Sequence, residues 1–282
     1  MASLTPPLRA WGSFGHSRDK LVSTVYTLPT SIWAYRELLK NLILKDLKIK
    51  YGGSLLGFAW SLLNPLAMIV VYSIAFKYIL RIQLEKYTLF LITGILPWIF
   101  FSSSVIASTG AVISDANLVK KIRFPREILP LATVQFNLVQ FLMALAVFFP
   151  ALIFLQAELG WSLLAYPAVL ALHVGFTLGG ALLLSAVTVF YQDVKHLTEV
   201  GLMILFWLTP ILYHLSMVPE RVRWLFKLNP LAVYITAYQD IIYFGRWPTW
   251  DTWLLGTLWV AASLALGMWV FRRYDARFAE EL

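Results

Sequence analysis

Six stretches of this chain run for about 20 residues or more without Asp, Glu, Lys or Arg: 51–76, 87–114, 128–157, 159–192, 200–219 and 252–271. They are continuously apolar rather than alternating, which selects helices over the short two-sided strands of a β-barrel. A bilayer core about 30 Å thick takes roughly 20 residues of helix. A charge at the centre of such a helix costs at least about 2.5 kcal/mol. The pattern therefore predicts an all-α polytopic membrane protein with spans near 59–80, 88–110, 131–155, 163–190, 199–218 and 253–271. Two further uncharged segments, 21–35 and 228–239, are too short to span.

The intervening segments have patterns of their own. Residues 1–30 are polar, carry Pro6, Pro7, Gly12, Gly15 and Pro29, and lack the apolar core of a secretory signal, so they read as a flexible arm. Residues 31–50 read as an amphipathic helix with Ser31 as a candidate cap. Ile32, Tyr35, Leu38, Leu39, Leu42, Ile43 and Ile49 fall on one side; Glu37, Asn41, Lys45 and Lys48 oppose them. That pattern suits a helix in the membrane–water plane, or a soluble helix packed on a partner. Gly52 and Gly53 break it before the first span. The loop at 111–130 mixes charge with Leu118, Val119, Ile122 and Phe124; a short helix starting at Ser114 or Asp115 would end before Pro125. It fits a basic cytoplasmic loop, or a helix that docks on a cytoplasmic partner. The loop at 219–252 is rich in Trp, Tyr and Phe around the uncharged 228–239. Two short re-entrant helices separated near Asn229-Pro230 fit it, as does an aromatic belt at the headgroups.

Composition sharpens this picture. The chain is 60% hydrophobic and 13% charged, against about 25% charged in soluble domains. An ordinary soluble enzyme and a disordered chain are excluded, and with no cysteine so is a disulfide scaffold. With the N-terminus inside, most Lys and Arg flank the spans on the cytoplasmic side, so both termini are expected there. The net charge of +8 then reflects topology and attraction to anionic lipid rather than nucleic-acid binding.

The chemistry inside the spans is neutral. Acids, Lys and Arg sit only at their edges, and His173 is the one plainly buried ionisable group, which argues against ion coupling. No phosphate-binding loop is present: Gly53-Ser54-Leu55-Leu56-Gly57 lacks the lysine, so any ATP must be hydrolysed by another polypeptide. Four histidines (His16, His173, His196, His214) without ligand-pair spacing give no metal site. Asp193, His196 and Glu199 are the nearest approach to acid–base chemistry, and equally fit a salt-bridged loop. Thr133, Asn137 and Gln140 share one face of the third span, and the second carries Trp98, Phe100, Phe101, Ser102, Ser103, Ser104, Ser108 and Thr109. Hydroxyls, amides and rings without fixed charge suit a conduit for sugars; they also suit hydrogen bonds between helices, each worth about 0.6 kcal/mol. Gly175 and Gly179 form a G-x-x-x-G that serves packing within one subunit or between two. Pro65, Pro97, Pro150, Pro167 and Pro210 fall within the spans as helix-perturbing residues.

Three blocks carry a family resemblance. The run from Lys45-Asp46-Leu47-Lys48 through Gly57-Phe58-Ala59-Trp60 to Asn64-Pro65 resembles the permease subunits of type-2 ABC exporters, and more narrowly those that export O-antigen polysaccharide or teichoic acid. Asn117-Leu118-Val119-Lys120-Lys121-Ile122-Arg123-Phe124-Pro125-Arg126-Glu127 is similar to that family's coupling loop. So is the later pattern of Tyr191-Gln192-Asp193-Val194-Lys195-His196, Pro210, Val218-Pro219-Glu220 and Asn229-Pro230-Leu231.

The resemblance covers about 35–275. It implies a homodimer with two cytoplasmic ATPase subunits, which bind the ATP and Mg; no cofactor is expected in this chain. It implies a lipid-linked glycan as substrate, contact with membrane lipids, and residence in the bacterial cytoplasmic (inner) membrane as a transport subunit rather than an enzyme. Helix 31–50 and a coupling helix near 112–124 would rest on the ATPase. The coupling residues it implies are Asp115, Asn117, Leu118, Lys120, Lys121, Arg123, Phe124, Arg126 and Glu127. A channel between the first, second and fifth spans of two copies would be lined by Tyr72, Phe76, Trp98, Phe101, Ser104, Trp207 and Tyr213, with Thr133, Asn137 and Gln140. Gate helices within 219–246 would carry Trp224, Phe226, Asn229, Pro230, Tyr234 and Tyr238. Residues 51–275 would form the transmembrane domain and 276–282 a cytoplasmic tail. Export of a small amphiphile and a membrane-embedded glycan-modifying enzyme are the alternatives.

Overall fold

The computed structural model describes residues 34–53, 57–82, 84–122, 124–155, 157 and 160–282. The arm 1–30, the start of the amphipathic helix with Ser31, and Arg123 lie outside the described residues. The described residues are helical with short connections and no strand. Among the described residues, five helices are long and apolar enough to cross a membrane, so the chain is a multi-pass membrane protein.

Helix α1 (Arg36–Tyr51) lays Leu38, Leu39, Leu42 and Ile43 against the protein, joined by Tyr35 just before its first turn, and Ile49 is left exposed. Gly53, at φ +78°, turns the chain in the left-handed region that a side chain would resist. Helix α2 (Trp60–Tyr72) follows and runs into a π-helical turn at Ser73–Ile79. Helix α3 (Tyr87–Thr109) is apolar on all sides and is the most buried span, as that pattern requires. Around it pack α2, α6 (Ile128–Phe154), α7 (Tyr166–Phe190), α8 (Val194–Trp207) and α10 (Pro230–Ile242). Between α3 and α6 lie the short helices α4 (Ala111–Ser114) and α5 (Ala116–Lys121), split at Asp115 where one coupling helix was expected. Helix α9 (Glu220–Leu228) precedes α10; α11 (Trp250–Tyr274) and the terminal α12 (Phe278–Glu281) complete the chain.

The closest pairing is α7 with α11. A Cβ on Gly179 would collide with the backbone of Ser263 and Leu264, and one on Gly267 with the carbonyl of Gly179. Gly175 faces Val260 at 2.9 Å from a built Cβ. The G-x-x-x-G motif therefore serves packing within the subunit, where backbones approach closely through small residues. Pro167 lies within the fourth span as expected, but in the first turn of α7, where no backbone donor is needed, so it does not perturb the helix.

The segment expected as a fifth span differs most. Helix α8 has 14 residues, which at about 1.5 Å each covers only about 21 Å. The chain then leaves helical geometry at Leu208–His214, around Pro210. Side chains satisfy the carbonyls this releases. Asn229 Nδ2 donates to Leu208 O (3.2 Å), Gln239 Nε2 to Pro210 O (2.7 Å) and Tyr87 Oη to Leu212 O (2.9 Å). Irregular backbone is tolerated in an apolar setting when protein groups pair it in this way.

Candidate functional site

At one end of the bundle, α1, α4, α5, the start of α6 and the C-terminal residues share a second apolar cluster. Asp115 ends α4 and begins α5, and both its carboxylate oxygens accept from Lys45 Nζ of α1, at 2.7 and 2.9 Å. Lys45 also lies 3.8 Å from Asp46. Burial pushes the Asp46 carboxyl above its usual range; Lys45 opposes this and Asp115 adds to it. Burial likewise lowers the Lys50 ammonium. Arg126 donates to the carbonyl of Asp275 and lies 3.5 Å from its carboxylate, while Arg272 Nε donates to Glu127 at 3.2 Å. Burial raises Asp275, with Arg126 opposing and Glu127 reinforcing.

These pairings divide the nine expected coupling residues. Asp115, Arg126 and Glu127 are turned toward the protein's own elements. Leu118 and Phe124 pack on the apolar cluster with buried Val119. Asn117, Lys120 and Lys121 are exposed, beside an exposed Ile122. The result is a small surface with two lysines outward and an apolar underside. Sequence reasoning missed Lys45, Arg272 and Asp275 as its fasteners; Lys45 was visible only as one charge on the polar face of 31–50, and Arg272 and Asp275 only as charges near a span end.

The ten expected channel residues also divide. Trp98, Phe101, Ser104 and Asn137 are buried inside the chain's own helical bundle. Ser104 Oγ donates to Phe100 O (2.7 Å), Thr133 Oγ1 to Leu129 O (3.2 Å) and Asn137 Nδ2 to Thr133 O (2.9 Å), all within their own helices. Gln140 accepts from Tyr51 at 2.9 Å, joining α6 to the end of α1. Tyr72, Phe76, Trp207 and Tyr213 form a strip on the side of α2 and α8. Tyr72 stacks on Phe206 (5.9 Å) and meets Phe76 edge-on (6.3 Å); Phe206 meets Trp207 edge-on (5.7 Å). Tyr213 donates to Trp207 O at 3.0 Å. Trp207 is 58% exposed, and Leu63, Val70, Val71, Val200 and Ile204 nearby present their apolar surface outward. Phe206, which links the strip to Trp98 at 5.4 Å, was not singled out from sequence.

At the other end, Asn229 separates α9 from α10 and caps α10, its Oδ1 accepting from Leu231 N (3.0 Å) and Ala232 N (3.4 Å), with Pro230 in the first turn. Helix α9 has no buried residue and exposes Trp224; Phe226 meets Tyr213 edge-on at 6.4 Å. Helix α10 is buried almost throughout, and its Tyr234 and Tyr238 face inward. They surround the fully buried His173 with Phe100 and Phe101. Tyr238 Oη lies 3.4 Å from His173 Nδ1, and Tyr234 donates to Gly256 O at 2.8 Å. A cavity of about 560 Å³ opens between α9, α10 and the start of α11, bordered by the Arg246–Asp240 and Lys227–Asp251 pairs, at 2.7 and 2.9 Å. Among the described residues no three His, Cys, Asp or Glu gather as a metal site. His196 and Glu199 meet at 3.4 Å on an exposed turn of α8 as a surface pair.

Residues 37–243 match the family model described as "ABC-2 type transporter". The O-antigen export system permease protein RfbA of Klebsiella pneumoniae is 34% identical over 242 residues, 84% of this chain and 92% of that protein. The protein of the same name from Myxococcus xanthus is 33% identical over 267 residues, 90% of this chain and 99% of its own length. The polysialic acid transport protein KpsM of Escherichia coli is 26% identical over 214 residues, 71% of this chain and 79% of its own.

Proposed function

This chain belongs to the ABC-2 type transporter family, and on that premise we propose that it is the membrane subunit of an ATP-driven polysaccharide exporter. It is a transport subunit, not an enzyme. Its cargo is a lipid-linked glycan of the O-antigen or teichoic-acid kind. The observation that carries this reading is near-full-length similarity to O-antigen export permeases, in a chain whose outward face on α2 and α8 is apolar and carries the exposed ring of Trp207. Sugar C–H faces lie against rings, and walls without fixed charge offer a long polymer no ionic trap.

In this reading the protein sits in the bacterial inner membrane with both termini cytoplasmic. Six crossings are made by α2, α3, α6, α7, α8 with its irregular continuation, and α11; α1 lies in the interface. Helices α9 and α10 form the outer gate. Two copies place their α2–α8 faces together, which covers the exposed apolar surface and encloses the conduit. Two ATPase subunits, which hold the ATP and Mg, dock on α5. Asn117, Lys120 and Lys121 face them, and closure of the ATPase pair on ATP pushes α4 and α5 against α1 through the Asp115–Lys45 pair.

The test is loss of this protein in its native host, which should trap the glycan on its lipid inside the cell. Lys120→Glu with Lys121→Glu should give the same defect by releasing the ATPase, read as loss of co-purification. Retained docking and export in that variant would sink the assignment of α5. Normal surface glycan with retention of a small amphiphile would turn the reading to lipid or drug export.

A further inference from the structure

We propose that the C-terminal segment, residues 275–282, is a latch that joins coupling helix α5 to the end of α11, with Phe278 and Arg126 as its positioning residues. The inference rests on the reading of α5 as the ATPase-facing element. The segment looks like a polar tail in sequence, ending in Arg277, Glu280 and Glu281. Its Phe278 is nonetheless fully buried. The ring lies 5.2 Å from Phe271 of α11, edge-on, and 6.1 Å from Phe190 of α7. It shares one cluster with Val119 of α5 and Val112 of α4, and Leu282 packs on the same cluster. Helix α12 packs directly on α5 and on α7.

A polar attachment reinforces the apolar one. Arg126, just past α5, donates to the backbone carbonyl of Asp275. Its neighbour Glu127 accepts from Arg272 in the last turn of α11. Helix α5 has six residues, far below the roughly 12–15 needed for a helix to persist alone. Its placement therefore comes from what grips it: Lys45 through Asp115 at its start, and the C-terminal segment along its underside. A push on Lys120 and Lys121 reaches α1 by the first grip and α11 by the second. Because α11 and α7 meet backbone to backbone at Gly267 and Gly179, the second route moves that pair as one body.

The experiment compares Phe278→Ala, Phe278→Leu and a chain ending at Tyr274 with the parent, each co-expressed with its ATPase. Three quantities are read: ATPase recovered per permease, surface glycan in the native host relative to ATP hydrolysed by the purified complex, and amide hydrogen exchange along the chain. With Phe278→Ala and with the truncation, the latch predicts ATPase recovery like the parent and faster exchange confined to about 115–122. It also predicts glycan per ATP lower by about two- to thirtyfold, the range over which linking residues alter coupling. Phe278→Leu, which refills most of the site, should restore both readouts. Unchanged exchange at 115–122 with unchanged glycan per ATP would overturn the latch. Exchange that rises equally in α7 and α11 would also overturn it, since Phe278 would then only support the fold. If the parent itself recovers no ATPase, the docking reading has failed, a result separate from either latch outcome.

Discussion

At the scale of single residues, the glycines show that identical letters carry opposite requirements. Gly267 lies against the carbonyl oxygen of Gly179, and both partners are backbone, so nothing can rotate aside. Gly201 in α8 has no heavy atom within 4 Å of where a Cβ would stand. Gly267→Ala should therefore force α7 and α11 apart and cost about 1–3 kcal/mol, the usual penalty of overpacking. Gly201→Ala should be neutral or stabilising by up to about 1 kcal/mol, since alanine is the better helix former. Thermal unfolding in detergent distinguishes the two. A Gly267→Ala midpoint equal to the parent's would mean the helices are not in contact at this point. His173 makes a related point about burial. Its lone position in an apolar span resolves into a ring-lined packing site between α3, α7 and α10.

At the scale of elements, the break after α8 depends on a residue of another helix. Asn229 does two jobs: its carbonyl oxygen caps α10, and its amide nitrogen donates to Leu208 O and to Thr209 Oγ1 at 3.1 Å. Asn229→Ala loses both and should cost about 1–2 kcal/mol, since a lost cap alone typically costs about 1. Asn229→Asp keeps the acceptor and loses the donor, so it should fall between. Unfolding midpoints of the two variants check that order, and equal midpoints would deny the second job. The turn at Asn229-Pro230 and the long helices 87–109 and 128–154 were legible in sequence, because charge-free length and a cap before proline are local signals. The shortness of α8 was not legible, because its irregular continuation is held by Tyr87, Gln239 and Asn229, which lie 21 to 125 residues away. The same holds for Asp115 with Lys45 and for the seating of Phe278. Burial there is set by which helix ends meet, and that information is spread over the chain.

At the scale of the whole molecule, the apolar exterior is uneven in a way that bears on transport. Helices α3 and α10 bury nearly everything, while α2 and α8 leave a broad, mainly aliphatic face outward, with Trp207 exposed on it beside the buried Phe206 and the half-buried Tyr72. Membrane lipid alone would be satisfied by aliphatic side chains. The exposed ring of Trp207, backed edge-on by Phe206 and with Tyr213 tied to its carbonyl, is a rigid surface suited to a polymer that must be held weakly and repeatedly. Trp207 is the test of this, because its exposure means that truncation leaves little cavity. Trp207→Ala should leave the unfolding midpoint and ATPase recovery near the parent's and lower surface glycan severalfold. Trp207→Phe, which keeps a ring, should recover much of the loss. If Trp207→Leu, apolar but ringless, exported as well as Trp207→Phe, the face would be acting as plain hydrophobic surface, and the proposed conduit would have to run elsewhere.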